Sequence, residues 1–164
     1  MINQLILIGF MGVGKTSVAH LIADQLSMTK IDLDHSIQTE HGDISDIMNR
    51  FGEAHFRQLE YEAFQQVLHT SSSVIATGGG ILTHPPSYDL MLKQPVVIWL
   101  KASFPIVKKR IENDLETHRP LADHLLNERF ESRQQLYNNC ASFTIDVDDL
   151  SPQEVAEKII NRYG

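Results

Sequence analysis

The chain has 164 residues and a formal net charge of −7, from 14 Lys and Arg against 21 Asp and Glu. That length suits one α/β domain with a single core, and the apolar and charged fractions, 42% and 21%, exclude disordered and fibrous classes. An acidic chain without a Lys/Arg run excludes nucleic acid as its main partner, and the lone Cys140 excludes an intrachain disulfide and suits a reducing compartment.

Gln4–Ile8 reads as a buried first strand, because the apolar run from Leu5 to Met11 is broken by Gly9 and is too short to span a membrane. Val13–Leu26 reads as a helix, with Val18, Leu21, Ile22 and Leu26 at helical spacing. Thr29–Leu33 is a second short strand. Ile47–Phe51 and Phe56–Leu68 are amphipathic helices, the latter carrying Phe56, Leu59, Ala63, Phe64 and Val67 on one stripe. Val74–Ala76 and Val96–Leu100 are continuous apolar runs of the kind found in central strands covered on both faces. The stretch Glu112–Asn127 is polar and weakly periodic, and reads as a surface loop or a lid. Phe143–Val147 is a fifth strand, and Ser151-Pro152 opens a last helix with a serine cap and a first-turn proline. Alternating strands and helices predict a three-layer α/β/α fold around a five-stranded, mainly parallel sheet.

Gly9-Phe10-Met11-Gly12-Val13-Gly14-Lys15-Thr16 fits G-x-x-x-x-G-K-[ST] without a mismatch, after a strand and before a helix. Its glycines let the backbone aim amide groups at phosphate oxygens, and the helix that follows adds its positive end. Lys15 brings a charge to the β- and γ-phosphates of a nucleoside triphosphate, and the Thr16 hydroxyl is suited to Mg²⁺. Gly12, Val13, Gly14, Lys15, Thr16 and Ser17 form the expected nucleotide-binding loop.

Asp32 and Asp34 stand at the end of the second strand, where an extended chain would point both to one side. One is placed to hold Mg²⁺ through water and the other to take a proton from an acceptor hydroxyl; solvated turn acids or a helix cap are the plainer alternative. Gly78-Gly79-Gly80 ends the third strand, where a ligand could approach the backbone closely. Taken alone, Arg57, with Glu53 and Glu60 on its helix, reads as an ordinary surface ion pair. Likewise Arg133, beside Glu128 and Glu131, reads as part of a solvated helix face. The histidines are scattered and suggest no transition-metal site.

From end to end the chain resembles the shikimate kinase family. The resemblance rests on the Gly-Phe-Met-Gly start of the phosphate loop, the Asp32-Leu33-Asp34 pair, and Gly42-Asp43-Ile44-Ser45. It continues through Phe51-Gly52-Glu53-Ala54-His55-Phe56-Arg57-Gln58-Leu59-Glu60, Ala76-Thr77-Gly78-Gly79-Gly80, Arg119-Pro120-Leu121, and Arg133 four residues before Tyr137. It implies a P-loop fold like that of nucleoside monophosphate kinases and ATP-dependent phosphorylation of the shikimate 3-hydroxyl, with ATP as cosubstrate and Mg²⁺ as cofactor. By the same resemblance, Asp32 and Thr16 hold Mg²⁺, Asp34 is the base, and Arg57, Arg133 and the Gly79 backbone bind shikimate. Arg119 reaches the phosphates from the lid and Arg110 stacks near adenine. One domain, 1–164, is expected to act as a cytoplasmic monomer, its acceptor-binding segment at about 33–61 and its lid at about 112–127. A gluconate or nucleoside monophosphate kinase, or a nucleotide-binding regulator without turnover, are the alternatives.

Overall fold

The computed structural model describes residues 3–114 and 123–164. Five strands, β1 (Gln4–Ile8), β2 (Thr29–Asp32), β3 (Ser73–Ala76), β4 (Val97–Lys101) and β5 (Phe143–Asp146), form one sheet in the order β2-β3-β1-β4-β5. All four pairings are parallel, with Ile6 opposite both Ile75 and Val97. The helices are α1 (Lys15–Leu26), α2 (Leu33–His41), α3 (Ile44–Phe51), α4 (Glu53–Val67), α5 (Pro85–Met91), α6 (Phe104–Asn113), α7 (Asp123–Cys140) and α8 (Pro152–Tyr163).

The continuous apolar runs predict interior strands, and β1, β3 and β4 are indeed the three inner ones, their side chains buried on both faces. Helix α4 buries Phe56 and Phe64 from its expected stripe, with Leu59, Ala63 and Val67 packed at the margin. The amide of Gln4, on β1, donates to the carbonyls of Val67, Leu68 and Thr70 at 3.2, 3.0 and 2.7 Å. Val67 O also accepts from the Thr70 amide and Thr70 O from the Ser73 hydroxyl, so Gln4 adds chiefly a donor for Leu68 O at the C-cap of α4. Helix α8 opens with the reciprocal bonds of a capping box between Ser151 and Glu154.

Several boundaries differ from the sequence reading, and α3 and α4 begin three residues earlier than expected, at Ile44 and Glu53. Helix α1 begins at Lys15 rather than Val13, because Gly14 is left-handed at φ 97° and no helix runs through it. Strand β2 ends at Asp32, and α2 begins one residue later, with the Asp32 carboxylate accepting from the His35 amide as its cap. Within the polar stretch 112–127, α6 runs to Asn113 and α7 begins at Asp123; the rest of the expected lid, Arg119 included, lies outside the described residues.

This topology brings the carboxyl ends of β1, β2 and β3 to one edge, where open parallel sheets bind their ligands. The phosphate loop follows β1, the aspartate pair follows β2 and the glycine triplet follows β3.

Candidate active site

The turn between β1 and α1 needs glycine: Gly12 and Gly14 sit at φ 79° and 97°, a region closed to most side chains. Lys15, 9% exposed, folds back so that Nζ donates to Gly9 O at 2.7 Å and Phe10 O at 2.9 Å. Burial lowers its pKa to about 8, against the opposing pull of Asp34 and then Asp32. The Thr16 hydroxyl donates to Asp32 Oδ2 at 2.7 Å. Asp32 therefore both caps α2 and meets the Thr16 hydroxyl, so its cap role does not take it away from the phosphate loop.

Asp34 lies in the first turn of α2, not on an extended strand. The two acids still serve one crevice, because α2 starts at once and turns Asp34 toward the glycine triplet. A Cβ placed on Gly78 would lie 3.0 Å from Asp34 Oδ1 and 2.9 Å from Glu60 Oε2. Both Asp34 and Asp32 favour the charged form of Lys15, so the acid expected to act as base stands between the phosphate lysine and the acceptor wall.

That wall is built from α4, the triplet and α7. Arg57 Nη1 donates to both carboxylate oxygens of Glu60, at 2.9 and 3.0 Å, and Nη2 reaches Glu53 Oε1 at 3.3 Å. The surface reading of this pair is wrong. Glu60 is 0% exposed, and Arg57 is nearly as deep because α4 presses this face onto the triplet. Burial pushes the Glu60 carboxyl up to about 7, with Arg57 pulling it back and Asp34 pushing it further. Arg57 Nε is buried without a hydrogen-bond partner among the described residues.

Arg133 also overturns the solvated-face reading: it is 6% exposed. Its stripe on α7, Leu126, Phe130, Arg133, Tyr137 and Cys140, is buried at helical spacing. Among the described residues no carboxylate pairs with its guanidinium, which lies 5.5 Å from the Phe10 ring centroid. A Cβ on Gly80 would fall 2.2 Å from Arg57 Nη2 and 3.0 Å from Arg133 Nη2. Two guanidinium groups thus converge over a residue that must lack a side chain.

On the far side of the phosphate loop, Arg110 Nη1 donates to Val13 O at 3.1 Å. Arg110 lines a groove of about 280 Å³ with Gly12, Val13, Gly14, Leu150 and Pro152. The groove extends to Leu150 and Pro152 at the start of α8. Sequence reasoning also missed Phe10 as a tie between the ends. Its ring packs on Phe130 of α7, with centroids 5.4 Å apart, so the phosphate loop anchors the helix that carries Arg133.

The family model for shikimate kinase matches residues 11–163. The chain belongs to the shikimate kinase family. It is 38% identical to the shikimate kinase of Thermodesulfovibrio yellowstonii over 167 residues, covering 98% of this chain and 95% of that one. It is 39% identical to that of Lactococcus lactis subsp. lactis over 164 residues, covering 98% of each. Among solved structures it is similar to the shikimate kinase of Acinetobacter baumannii in complex with shikimate. The TM-score is 0.91 at 26% identity, covering 99% of this chain and 93% of that one. The shikimate kinase of Aquifex aeolicus gives 0.82 at 28% identity, covering 97% and 94%. The fold is accordingly the P-loop fold of nucleoside monophosphate kinase type, and the chain is an ATP-dependent kinase of the shikimate kinase family. Among the described residues no helix is long and apolar enough to cross a membrane.

Proposed function

We propose that this chain transfers the γ-phosphoryl group of ATP to the 3-hydroxyl of shikimate, with the residue roles that follow. The observation that carries the acceptor reading is the buried guanidinium of Arg133, without a carboxylate partner among the described residues, converging with Arg57 above Gly80. A buried charge needs an opposite charge or strong hydrogen bonds, and a guanidinium matches a carboxylate best. Shikimate carries one carboxylate and a ring of hydroxyls. These arginines and Asp34 form a clamp for a small hydroxylated acid; gluconate is such an acid too, so the substrate panel below separates the two.

On this reading Lys15 grips the β- and γ-phosphates once it leaves the carbonyls of Gly9 and Phe10. Its pKa of about 8 keeps it charged at neutral pH. The amides of Gly12, Val13 and Gly14, with those of Lys15, Thr16 and Ser17 at the start of α1, cradle the phosphates. Arg110 lines the adenine groove with Leu150 and Pro152. The Thr16 hydroxyl and the Asp32 carboxylate are adjacent hard oxygen donors, a set that fits Mg²⁺, which takes one or two such groups plus phosphate oxygens and water. Bound there, Mg²⁺ would neutralise charge on the β- and γ-phosphates.

Asp34 accepts the proton of the 3-hydroxyl as its oxygen bonds to the γ-phosphorus and the bond to the bridging oxygen of ADP breaks. Arg57, held by Glu60 and Glu53, and Arg133 fix the carboxylate, and Gly79 meets the acceptor through its backbone. Positioning does most of the catalysis, since the protein contributes little covalent chemistry here. The segment 33–61 brings Asp34 and Arg57 to the acceptor site, and 112–127 with Arg119 acts as the lid that excludes water. Every residue named belongs to one copy of the chain, so a cytoplasmic monomer suffices.

The test is ATP consumption with Mg²⁺ against shikimate, quinate, gluconate and AMP, with Lys15→Ala as the blank. Turnover with shikimate, lost in the blank, is the expected result. Turnover with another member of the panel would keep the kinase and discard the acceptor reading, and binding without turnover would return a regulatory module.

A further inference from the structure

Each carbonyl of the glycine triplet is held by a donor. Gly78 O accepts from the Ile81 amide at 3.3 Å. Gly80 O accepts from the Thr83 amide at 3.1 Å and from the Thr83 hydroxyl at 2.7 Å. Gly79 O accepts from the Tyr137 hydroxyl. The first two donors come from the next turn of the same chain segment. The third crosses from α7, so it alone ties the triplet to the helix bearing Arg133.

Tyr137 follows Arg133 by one helical turn and faces the same way. Its ring is 1% exposed and packs against Trp99 of β4, with centroids 5.7 Å apart. Burial raises the hydroxyl pKa, outweighing the opposite pull of the adjacent Arg133 guanidinium, so Tyr137 keeps its proton and donates it. In a trans peptide the carbonyl and the next amide point in opposite directions. Holding Gly79 O toward α7 therefore turns the Gly80 N–H away from α7. None of the three triplet amides donates to another backbone carbonyl among the described residues.

We propose that Tyr137 is a positioning residue of the acceptor site, whose one hydroxyl sets the Gly79–Gly80 peptide and the Arg133 guanidinium in register with each other. The glycine amides and the arginine then meet a single carboxylate-bearing acceptor in a fixed geometry. Tyr137 does not touch that acceptor; it acts through Gly79 and Arg133. This inference rests on the acceptor reading above and adds to it the part that keeps the clamp in shape.

Tyr137→Phe removes one oxygen, keeps the ring on Trp99 and leaves Gly79 O without its donor. A half-buried acceptor left unmatched is costly enough to predict a rise of about tenfold in KM for shikimate, with KM for ATP within about twofold of wild type. The loss should fall on KM rather than on kcat. The double variant Arg133→Ala with Tyr137→Phe should lose little beyond Arg133→Ala alone, because residues acting through one another are not additive. A merely structural tyrosine would lower the melting temperature while leaving shikimate KM alone, or would raise both KM values together. Either result overturns the proposal, as does full additivity in the double variant.

The acceptor reading has its own controls. If the wild type does not turn over shikimate, or Arg133→Ala leaves its KM unchanged, that reading fails first. If both hold and Tyr137→Phe keeps wild-type KM, only this inference falls. Should Tyr137→Phe not fold, the intact protein decides, because Trp99 is the only tryptophan and lies against the Tyr137 ring. Saturating shikimate should then change Trp99 emission in the wild type and not in Arg133→Ala. An unchanged spectrum at concentrations that saturate turnover would refute the coupling.

Discussion

The nucleotide end and the acceptor end of this site are built in opposite ways. The phosphate loop of the nucleotide end is a single run of chain, Gly9 to Ser17, whose conformation follows from its own glycines and the helix it opens. The acceptor end draws Asp34 from α2, Arg57 and Glu60 from α4, the triplet after β3, and Arg133 and Tyr137 from α7. A local device survives as a sequence motif, whereas a distributed one exists only when the sheet and its helices are in place. The same contrast appears in electrostatics. Lys15 satisfies itself on carbonyls of its own loop, while the acceptor end sets the Arg57–Glu60 pair of α4 beside Arg133 of α7 across the triplet.

The largest expected effect is at the point between the two ends. Asp34→Asn should lower kcat by a factor of about 10²–10⁴, the range for a general base, with ATP affinity nearly unchanged. Steady-state kinetics with titrated ATP check this, and near-normal turnover would remove Asp34 from the role. Within the nucleotide end, Lys15→Ala should cost about 10²–10³ in kcat, as for loss of one group that stabilises transition-state charge. Shikimate binding to that variant should persist, which calorimetry would read. In the acceptor end, Arg57→Ala should raise KM for shikimate about tenfold or more, leaving Glu60 buried without its cation. An equal rise in KM for ATP would show that the two ends are not separable in this way.

Much of this architecture was legible beforehand, and the misses have physical causes. The inner position of β1, β3 and β4 follows from uninterrupted apolar runs, because a strand covered on both faces leaves no place for polar residues, whereas the edge strands β2 and β5 are short and mixed. Helix α7 was obscured because its buried stripe includes an arginine, so its apolar periodicity is diluted where the function lies. Helix α2 hid behind the aspartate pair, since Asp32 is at once the last strand residue and the helix cap. Glu53 and Glu60 were visible as supports for Arg57 by their spacing, but the depth of Glu60 was not, because burial is a property of how α4 meets the triplet. Tyr137 gave no signal beyond its place in a motif.

Depth has a consequence for pH. Native Glu60 holds its proton up to about 7, against 4.5 for a free carboxyl. Between those values the native state binds more protons than the unfolded chain, so this group makes stability fall as pH rises through that window. Glu60→Gln should remove that slope. Relative to the variant, the wild type should melt higher at pH 5 than at pH 7, and parallel melting curves would contradict the assignment. The smallest effect belongs to neither end. Gln4→Ala takes from Leu68 O its one donor among the described residues, while Val67 O keeps the Thr70 amide and Thr70 O the Ser73 hydroxyl; it should cost about 1 kcal/mol, lowering Tm by about 3 °C without changing either KM.

The most direct test of the acceptor end is a comparison of kcat/KM for shikimate and for its methyl ester at fixed ATP and Mg²⁺. The ester keeps every ring hydroxyl and loses the negative charge that Arg57 and Arg133 are assigned to hold. The account predicts a loss of at least about thirtyfold for the ester in the wild type, shrinking to a few-fold in Arg133→Ala. Equal kcat/KM for acid and ester in the wild type would contradict it.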